Sequence, residues 1–161
     1  FIMPAIWGFL NKRNMEPSSP TKQAIGLFLL SLGYLFIAFG VKDLQPGVKV
    51  SMIWLTGLYF IHTMGEMALS PIGLSMVNKL TPVRFASLMM GVWYLSTASA
   101  NKFAGMLSGL YPEAGKVKHL LGIEIASLYD FFMVFVVMSG ISAVILFLLS
   151  KKLQKLMHGV E

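Results

Sequence analysis

The chain has 161 residues, of which 56% are hydrophobic and 12% are charged, and its mean hydropathy is +0.72. Soluble domains average roughly 45–50% apolar and 25% charged residues, so a soluble domain is disfavoured. The absence of Cys excludes disulfides, thiol catalysis and thiolate metal sites. The net charge of +6 comes from basic residues that flank apolar stretches. That distribution is typical of membrane topology signals and argues against a nucleic-acid partner.

Apolar stretches predict one half-span followed by four complete transmembrane helices. The half-span covers residues 1–10, which suggests that the chain begins inside a helix and that the upstream part is missing. A surface loop follows at residues 11–22, in which Pro17 and Pro20 are expected to break any helix. Each complete span is long enough to cross a hydrocarbon core of about 30 Å. The four spans are predicted at residues 24–41, 50–80, 85–110 and 123–150.

Three connections separate these spans, at residues 42–49, 81–84 and 111–121. Lys and Arg are distributed unequally between the two sides of the predicted helices, and the richer side is expected in the cytoplasm. One side carries eight basic residues: Lys12, Arg13, Lys22, Lys79, Arg84, Lys151, Lys152 and Lys155. The other carries four: Lys42, Lys49, Lys116 and Lys118. The count predicts a cytoplasmic C-terminus.

Glu66 lies near the middle of the second full span, where an acidic side chain costs about 2.5–3.5 kcal/mol on insertion scales. Tyr59, His62 and Ser70 fall on the same helical face. This face is expected to line a polar interior, with Glu66 as a cation or proton site. The alternative is a static ion pair with a basic residue on another helix. Tyr59 and His62 are candidates for pocket or coupling residues, and the alternative for His62 is a hydrogen-bonded packing residue.

Pro71 follows Glu66 by five residues and is bracketed by Gly65 and Gly73. Proline removes the backbone hydrogen bond to the carbonyl of Met67, so the helix is expected to bend or loosen there. The bend is interpreted either as a moving hinge or as a static kink. Gly91, in the next span, is a further candidate for a hinge or gate.

Trp93 lies nine residues after Arg84, about 13 Å into its span, too deep for an interfacial aromatic belt. It either walls a substrate pocket or fills the core. Lys102 is expected to reach the opposite surface, and Asp130 to be a solvated charge near the outer end of the last span. No nucleotide loop, metal-ligand cluster or nucleophile motif is present, which disfavours an enzyme.

The segment 65–109 resembles the tenth and eleventh helices of the proton-dependent oligopeptide transporter family, within the major facilitator superfamily. The resemblance rests on the run Glu-x-x-x-Ser-Pro-x-Gly-Leu-Ser from residue 66, the Lys-Leu-x-Pro turn from residue 79 and the deep Trp93. The loop 16–22 also resembles the one before the family's ninth helix. The resemblance covers essentially the whole chain and implies an all-α membrane fold of twelve helices. This chain would supply the end of helix 8 through helix 12, without the N-terminal bundle.

The resemblance also implies a function: symport of di- and tripeptides with protons across the bacterial inner membrane, with protons as coupling ion and no other cofactor. Glu66 would contact the positive amino end of the peptide and exchange pairing with a lysine of the N-terminal bundle. Ser70 and Trp93 would line the same pocket, and the hairpin 57–109 would close its cytoplasmic side. Two alternatives stay open: a non-transporting membrane scaffold or assembly subunit, and a major facilitator carrier for another solute.

Overall fold

The computed structural model describes residues 2–13, 15–42, 49–112, 118–120 and 123–157. Within these ranges the chain forms five α-helices, a 3-10 turn at Val83–Phe85 and a small β-hairpin. The helices are α1 (Ile2–Lys12), α2 (Ser19–Val41), α3 (Met52–Leu80), α4 (Ala86–Ser108) and α5 (Leu128–Leu156). Phe1, most of the predicted connection 42–49, part of the predicted loop 111–121 and the end of the tail lie outside the described residues.

The second helix begins at Ser19, five residues before the predicted start of its span. Pro17 and Pro20 were expected to break a helix throughout the loop 11–22, and for Pro20 this expectation is wrong. Pro20 is buried in the first turn of α2, where a backbone N–H has no intrahelical acceptor and proline's fixed φ suits the helix. The proline therefore starts the helix.

The last helix begins at Leu128 rather than at residue 123. Ser127 and Asp130 form a capping box: the Ser127 hydroxyl accepts from the Asp130 N–H at 3.1 Å, and Asp130 Oδ2 accepts from the Ser127 N–H at 3.0 Å. Asp130 was predicted to be merely solvated, but it satisfies backbone donors that the helix leaves free. At the other end α5 continues to Leu156, so most of the predicted polar tail is helical.

A two-stranded antiparallel hairpin precedes α5, formed by β1 (Lys118–Leu120) and β2 (Ile123–Ile125). The sequence predicted a loop and the start of a helix here. Lys118 pairs with Ile125 in the ladder, and the Ile125 side chain is fully buried. The Lys118 amine donates hydrogen bonds to the carbonyls of Gly109 at 2.6 Å and Tyr111 at 3.0 Å. The hairpin is thereby tied to the end of α4.

The centre of the packing is α2, which lies between α3 and α5. Ile37, Val41 and Leu58 form a buried apolar cluster toward one end of α2, and Ser31 on α2 donates a hydrogen bond to the Val136 carbonyl of α5 at 3.0 Å. By contrast, α4 has no buried residue. Among the described elements it contacts only α3 and the 3-10 turn.

Candidate functional site

Glu66 stands at the centre of α3, fourteen residues from Met52 and fourteen from Leu80. At 1.5 Å per residue, its Cα lies about 21 Å from either end of the helix. Its side chain is exposed, and no hydrogen bond or ion pair reaches it from the part of the chain that the structure describes. The carboxylate is therefore presented on an open helical face, available to a group from outside these residues.

The four polar residues predicted on this face do not share one environment. Tyr59 is 65% exposed, and Ser70 is exposed like Glu66. His62 instead turns toward α2, where its Nε2–H donates to the Leu30 carbonyl at 3.2 Å. Its ring meets the Tyr34 ring edge-on at a centroid distance of 4.5 Å. The imidazole is thus held in the α2–α3 contact.

The hinge candidates also occupy different surroundings. Gly65 is buried against α2, and a Cβ added there would stand 2.9 Å from the Gly26 carbonyl oxygen. Gly91 lies in open space within the described structure, with no atom near an added Cβ. Through Pro71 the helix α3 continues from Met52 to Leu80, so the missing N–H does not end it. A hinge at these positions stays a prediction.

Trp93 is half-buried and packs against Gly73, whose missing side chain makes room for the indole. The two residues line a crevice of about 360 Å³ between α3 and α4, together with Gln23 of α2. Neither Glu66 nor Ser70 lines this crevice. A pocket shared by Trp93, Glu66 and Ser70 stays a prediction. Apart from Gln23, Thr81 and Ser96, the crevice is lined by apolar residues and glycine.

A second, polar cavity of about 400 Å³ joins the α1–α2 loop to the C-terminal half of α3. Glu16 accepts hydrogen bonds from Lys22 and Asn11 at its edge. The Lys22 ammonium is the main cause that lowers the pKa of the Glu16 carboxyl. Pro71 and Lys79 line the opposite wall. The loop, the start of α2 and the end of α3 therefore meet at one end of the molecule.

One feature missed in the sequence is a glycine repeat along α2. Gly26, Gly33 and Gly40 recur at intervals of seven residues, so they fall on one face of the helix. Each receives a side chain of α3: Leu69 at Gly26, His62 at Gly33 and Trp54 at Gly40. Small residues that let helix backbones approach are typical of membrane interfaces. The seven-residue spacing was the available signal.

The described helices divide by polarity. Two are long and apolar enough to cross a membrane, α2 and α5. α3 and α4 have the length of membrane spans, 29 and 23 residues, but they carry polar side chains such as Glu66 and Lys102 and are less apolar than α2 and α5. Four complete spans were predicted. Length and composition alone identify two of them, α2 and α5, as able to cross a membrane. Within the described residues no group of His, Cys, Asp and Glu could hold a metal ion.

Comparison with known proteins identifies the family to which this chain belongs. The family model described as "POT family" matches residues 2–125. Dipeptide and tripeptide permease A of Escherichia coli is 31% identical over 154 residues, which cover 95% of this chain and 30% of the permease. The di-/tripeptide transporter of Lactococcus lactis is 29% identical over 161 residues, covering 99% of this chain and 29% of that protein.

The fold gives the same result. The crystal structure of a mutant of the peptide transporter POT in complex with alafosfalin superposes with a TM-score of 0.80 at 30% identity, covering 98% of this chain and 30% of that one. The helices match part of that membrane protein, and the predicted fold class is confirmed. The chain belongs to the POT family. It spans about 30% of the length of the relatives it matches.

Proposed function

We propose that this chain is part of a transporter that carries di- and tripeptides across the bacterial inner membrane, coupled to proton movement, with Glu66 in its substrate-binding site. The observation that carries the proposal is the position of Glu66. Glu66 is an acidic residue at the centre of a 29-residue helix, and its side chain is exposed. The chain belongs to the POT family, and its relatives include proteins named dipeptide and tripeptide permeases.

The chemistry of Glu66 suits this task. A carboxylate near the membrane midplane attracts the ammonium group at the amino end of a peptide, and in a low-dielectric site such a charge-assisted hydrogen bond contributes about 1.5–3 kcal/mol. Ser70, one turn further along the exposed face, adds a hydroxyl that can donate or accept. Because no described residue pairs with Glu66, its counter-charge must come from substrate or from the rest of the transporter.

Proton coupling requires a group whose charge differs between two conformations, since a ligand shifts an equilibrium only through differential affinity. In this proposal, protons and peptide binding elsewhere in the full transporter change the charge that faces Glu66. The α3–α4 hairpin then bends about Pro71. Among the described elements α4 contacts only α3 and the 3-10 turn, so it can follow such a bend while the N-terminal part of α3 stays packed against α2.

The test is uptake of a labelled dipeptide into vesicles that contain the full-length transporter, with and without an inward proton gradient. Glu66→Gln keeps the shape of the side chain and removes its charge. We expect gradient-driven uptake in the wild type and a loss of roughly tenfold or more in Glu66→Gln, as removal of a charge-assisted contact predicts. Glu124→Gln is the matched control, because Glu124 is exposed in the hairpin strand β2.

Three other outcomes would each change a different part of the proposal. Wild-type vesicles without dipeptide uptake, but with uptake of an unrelated solute, would indicate a carrier for that solute. No uptake of either, with Glu66→Gln also unaltered in assembly, would favour the scaffold alternative. Equal uptake by wild type and Glu66→Gln would retain peptide transport and remove Glu66 from the binding site.

We further propose that the lysine-rich end faces the cytoplasm. The start of α2, the end of α3 and their basic residues Lys22 and Lys79 lie at one end, around the polar cavity. A cysteine placed at Lys155 in a Cys-free full-length background should react with a membrane-impermeant maleimide only in inside-out vesicles. Reaction in right-side-out vesicles alone would reverse the orientation.

A further inference from the structure

An apolar groove of about 270 Å³ runs between the outward faces of α2 and α5. Ala24 and Ala143 are buried at its base, where two small side chains leave a gap between the helices. Phe28 and Phe147, both more than half exposed, form its walls. Only apolar side chains line the groove. It lies between the two helices that are apolar enough to face lipid.

A basic stretch continues the groove along α5. Ser31 of α2 lies against Val136 of α5, and Ala24 lies across the groove from Ala143. The two helices therefore run antiparallel, and the groove lies toward the C-terminal end of α5. Lys151 follows Leu148, a groove residue, by about 4.5 Å of helical rise, and Lys155 follows it by about 10 Å. Both lysines are exposed, as is Lys152. Within the described part of the chain none of the three is in an ion pair.

We propose that this groove binds one acyl chain of an anionic phospholipid, whose phosphate is held by Lys151 and Lys155. Along α5 the apolar groove comes first and the positively charged lysines follow. A phospholipid has the same order, with its apolar acyl chain followed by its phosphate. A zwitterionic lipid would bring an ammonium group to the same lysines, so the site favours net negative charge. Basic residues beside a membrane span attract anionic headgroups in this way. The proposal does not depend on the transported substrate.

The experiment uses full-length transporter in phosphatidylcholine vesicles that contain a small fraction of photoreactive lipid. The probe is phosphatidylglycerol with a diazirine near the end of one acyl chain, and phosphatidylcholine with the same tail is the comparison. After illumination, mass spectrometry locates the attached lipid. We expect the phosphatidylglycerol probe to label residues 24–28 and 143–148 several-fold more than the phosphatidylcholine probe does.

Two kinds of variant separate the tail from the headgroup. Val144→Trp fills the groove from an exposed position, so it should abolish labelling there without disturbing the core. Val137→Trp, one heptad earlier on the same helix and similarly exposed, is its matched control and should leave labelling unchanged. Lys151→Gln and Lys155→Gln should each reduce labelling by the anionic probe about fivefold. Lys102→Gln, which removes an exposed lysine of α4, is the charge control.

Equal labelling by the two probes, insensitive to Lys151→Gln and Lys155→Gln, would overturn the proposal and show ordinary contact with bulk lipid. Absence of label from the groove with both probes would also overturn it. That result would indicate that another helix of the transporter covers this face.

Discussion

The helices α2 and α4 have the same length, 23 residues, but opposite environments. α2 buries residues along its whole length, from Pro20 to Val41, and packs against both α3 and α5. α4 buries none and touches α3 near the turn that joins them. Thus α2 is packed on two sides by helices of this chain, whereas most of the α4 surface is not covered by the described residues. Glu66 of α3 is exposed as well, although α3 packs against α2 along other positions.

The largest effect should come from the glycine contact between α2 and α3. A side chain at Gly26 would stand 2.9 Å from the Gly65 carbonyl oxygen, which is backbone and cannot rotate away. Gly26→Val should lower the free energy of unfolding by about 3 kcal/mol or more. Gly91→Val, in open space on α4, should change it by less than about 1 kcal/mol. Thermal unfolding in detergent measures both.

A Gly91→Val variant as unstable as Gly26→Val would contradict this difference in packing between α2 and α4. That result would mean that α4 is closely packed against a part of the transporter outside the described residues, and that its apparent openness belongs to this chain alone.

A smaller effect is expected at the contact between α3 and α4. Because the Trp93 indole fills the space above Gly73, Gly73→Ala should destabilise the protein by about 1–2 kcal/mol. In a Trp93→Leu background the same change should have little effect, giving a coupling energy of about 1 kcal/mol in a double-mutant cycle. Additive effects would show that the two residues do not act as a pair.

The sequence predicted the helical membrane fold and the position of Glu66 near the middle of its helix better than it predicted contacts between helices. Segment lengths and polarity are local properties, so the number of long helices and the α3–α4 turn followed from them. Which side of α3 meets α2 depends on tertiary packing, and for that reason His62 could not be separated from Glu66 by spacing. The Ser127–Asp130 capping box and the α2 glycine repeat, by contrast, were visible as patterns.

At its C-terminal end α4 has an anchor of moderate strength. The Lys118 amine donates to the carbonyl of Gly109, the C-cap residue of α4, and to that of Tyr111 just beyond it, and the helix dipole favours a cation there. Lys118→Met should weaken this end by about 0.3–1 kcal/mol. Hydrogen exchange should become faster for amides of the last turn of α4, whereas Lys102→Met, in the same helix, should leave that turn unchanged. If Lys118→Met and Lys102→Met showed the same exchange in the last turn of α4, the backbone of the β-hairpin, and not the Lys118 side chain, would stabilise that turn.

The smallest effect concerns the corresponding anchor of α2, the Glu16–Lys22 ion pair outside the membrane span. The hydrogen bond from Lys22 holds the pKa of the Glu16 carboxyl below its usual value of 4.5. A carboxyl with a lowered folded-state pKa stabilises the fold above the unfolded pKa, and that contribution disappears as the pH falls through the folded pKa. Acidification below about pH 4.5 should therefore loosen the α1–α2 loop, seen as faster hydrogen exchange at residues 15–22, with α4 unaffected. Glu16→Gln should show fast exchange at neutral pH and lose the dependence on pH. If hydrogen exchange at residues 15–22 still depended on pH in Glu16→Gln, another titratable group would be responsible. The start of α2 would then be stabilised by the burial of Pro20 and not by the ion pair.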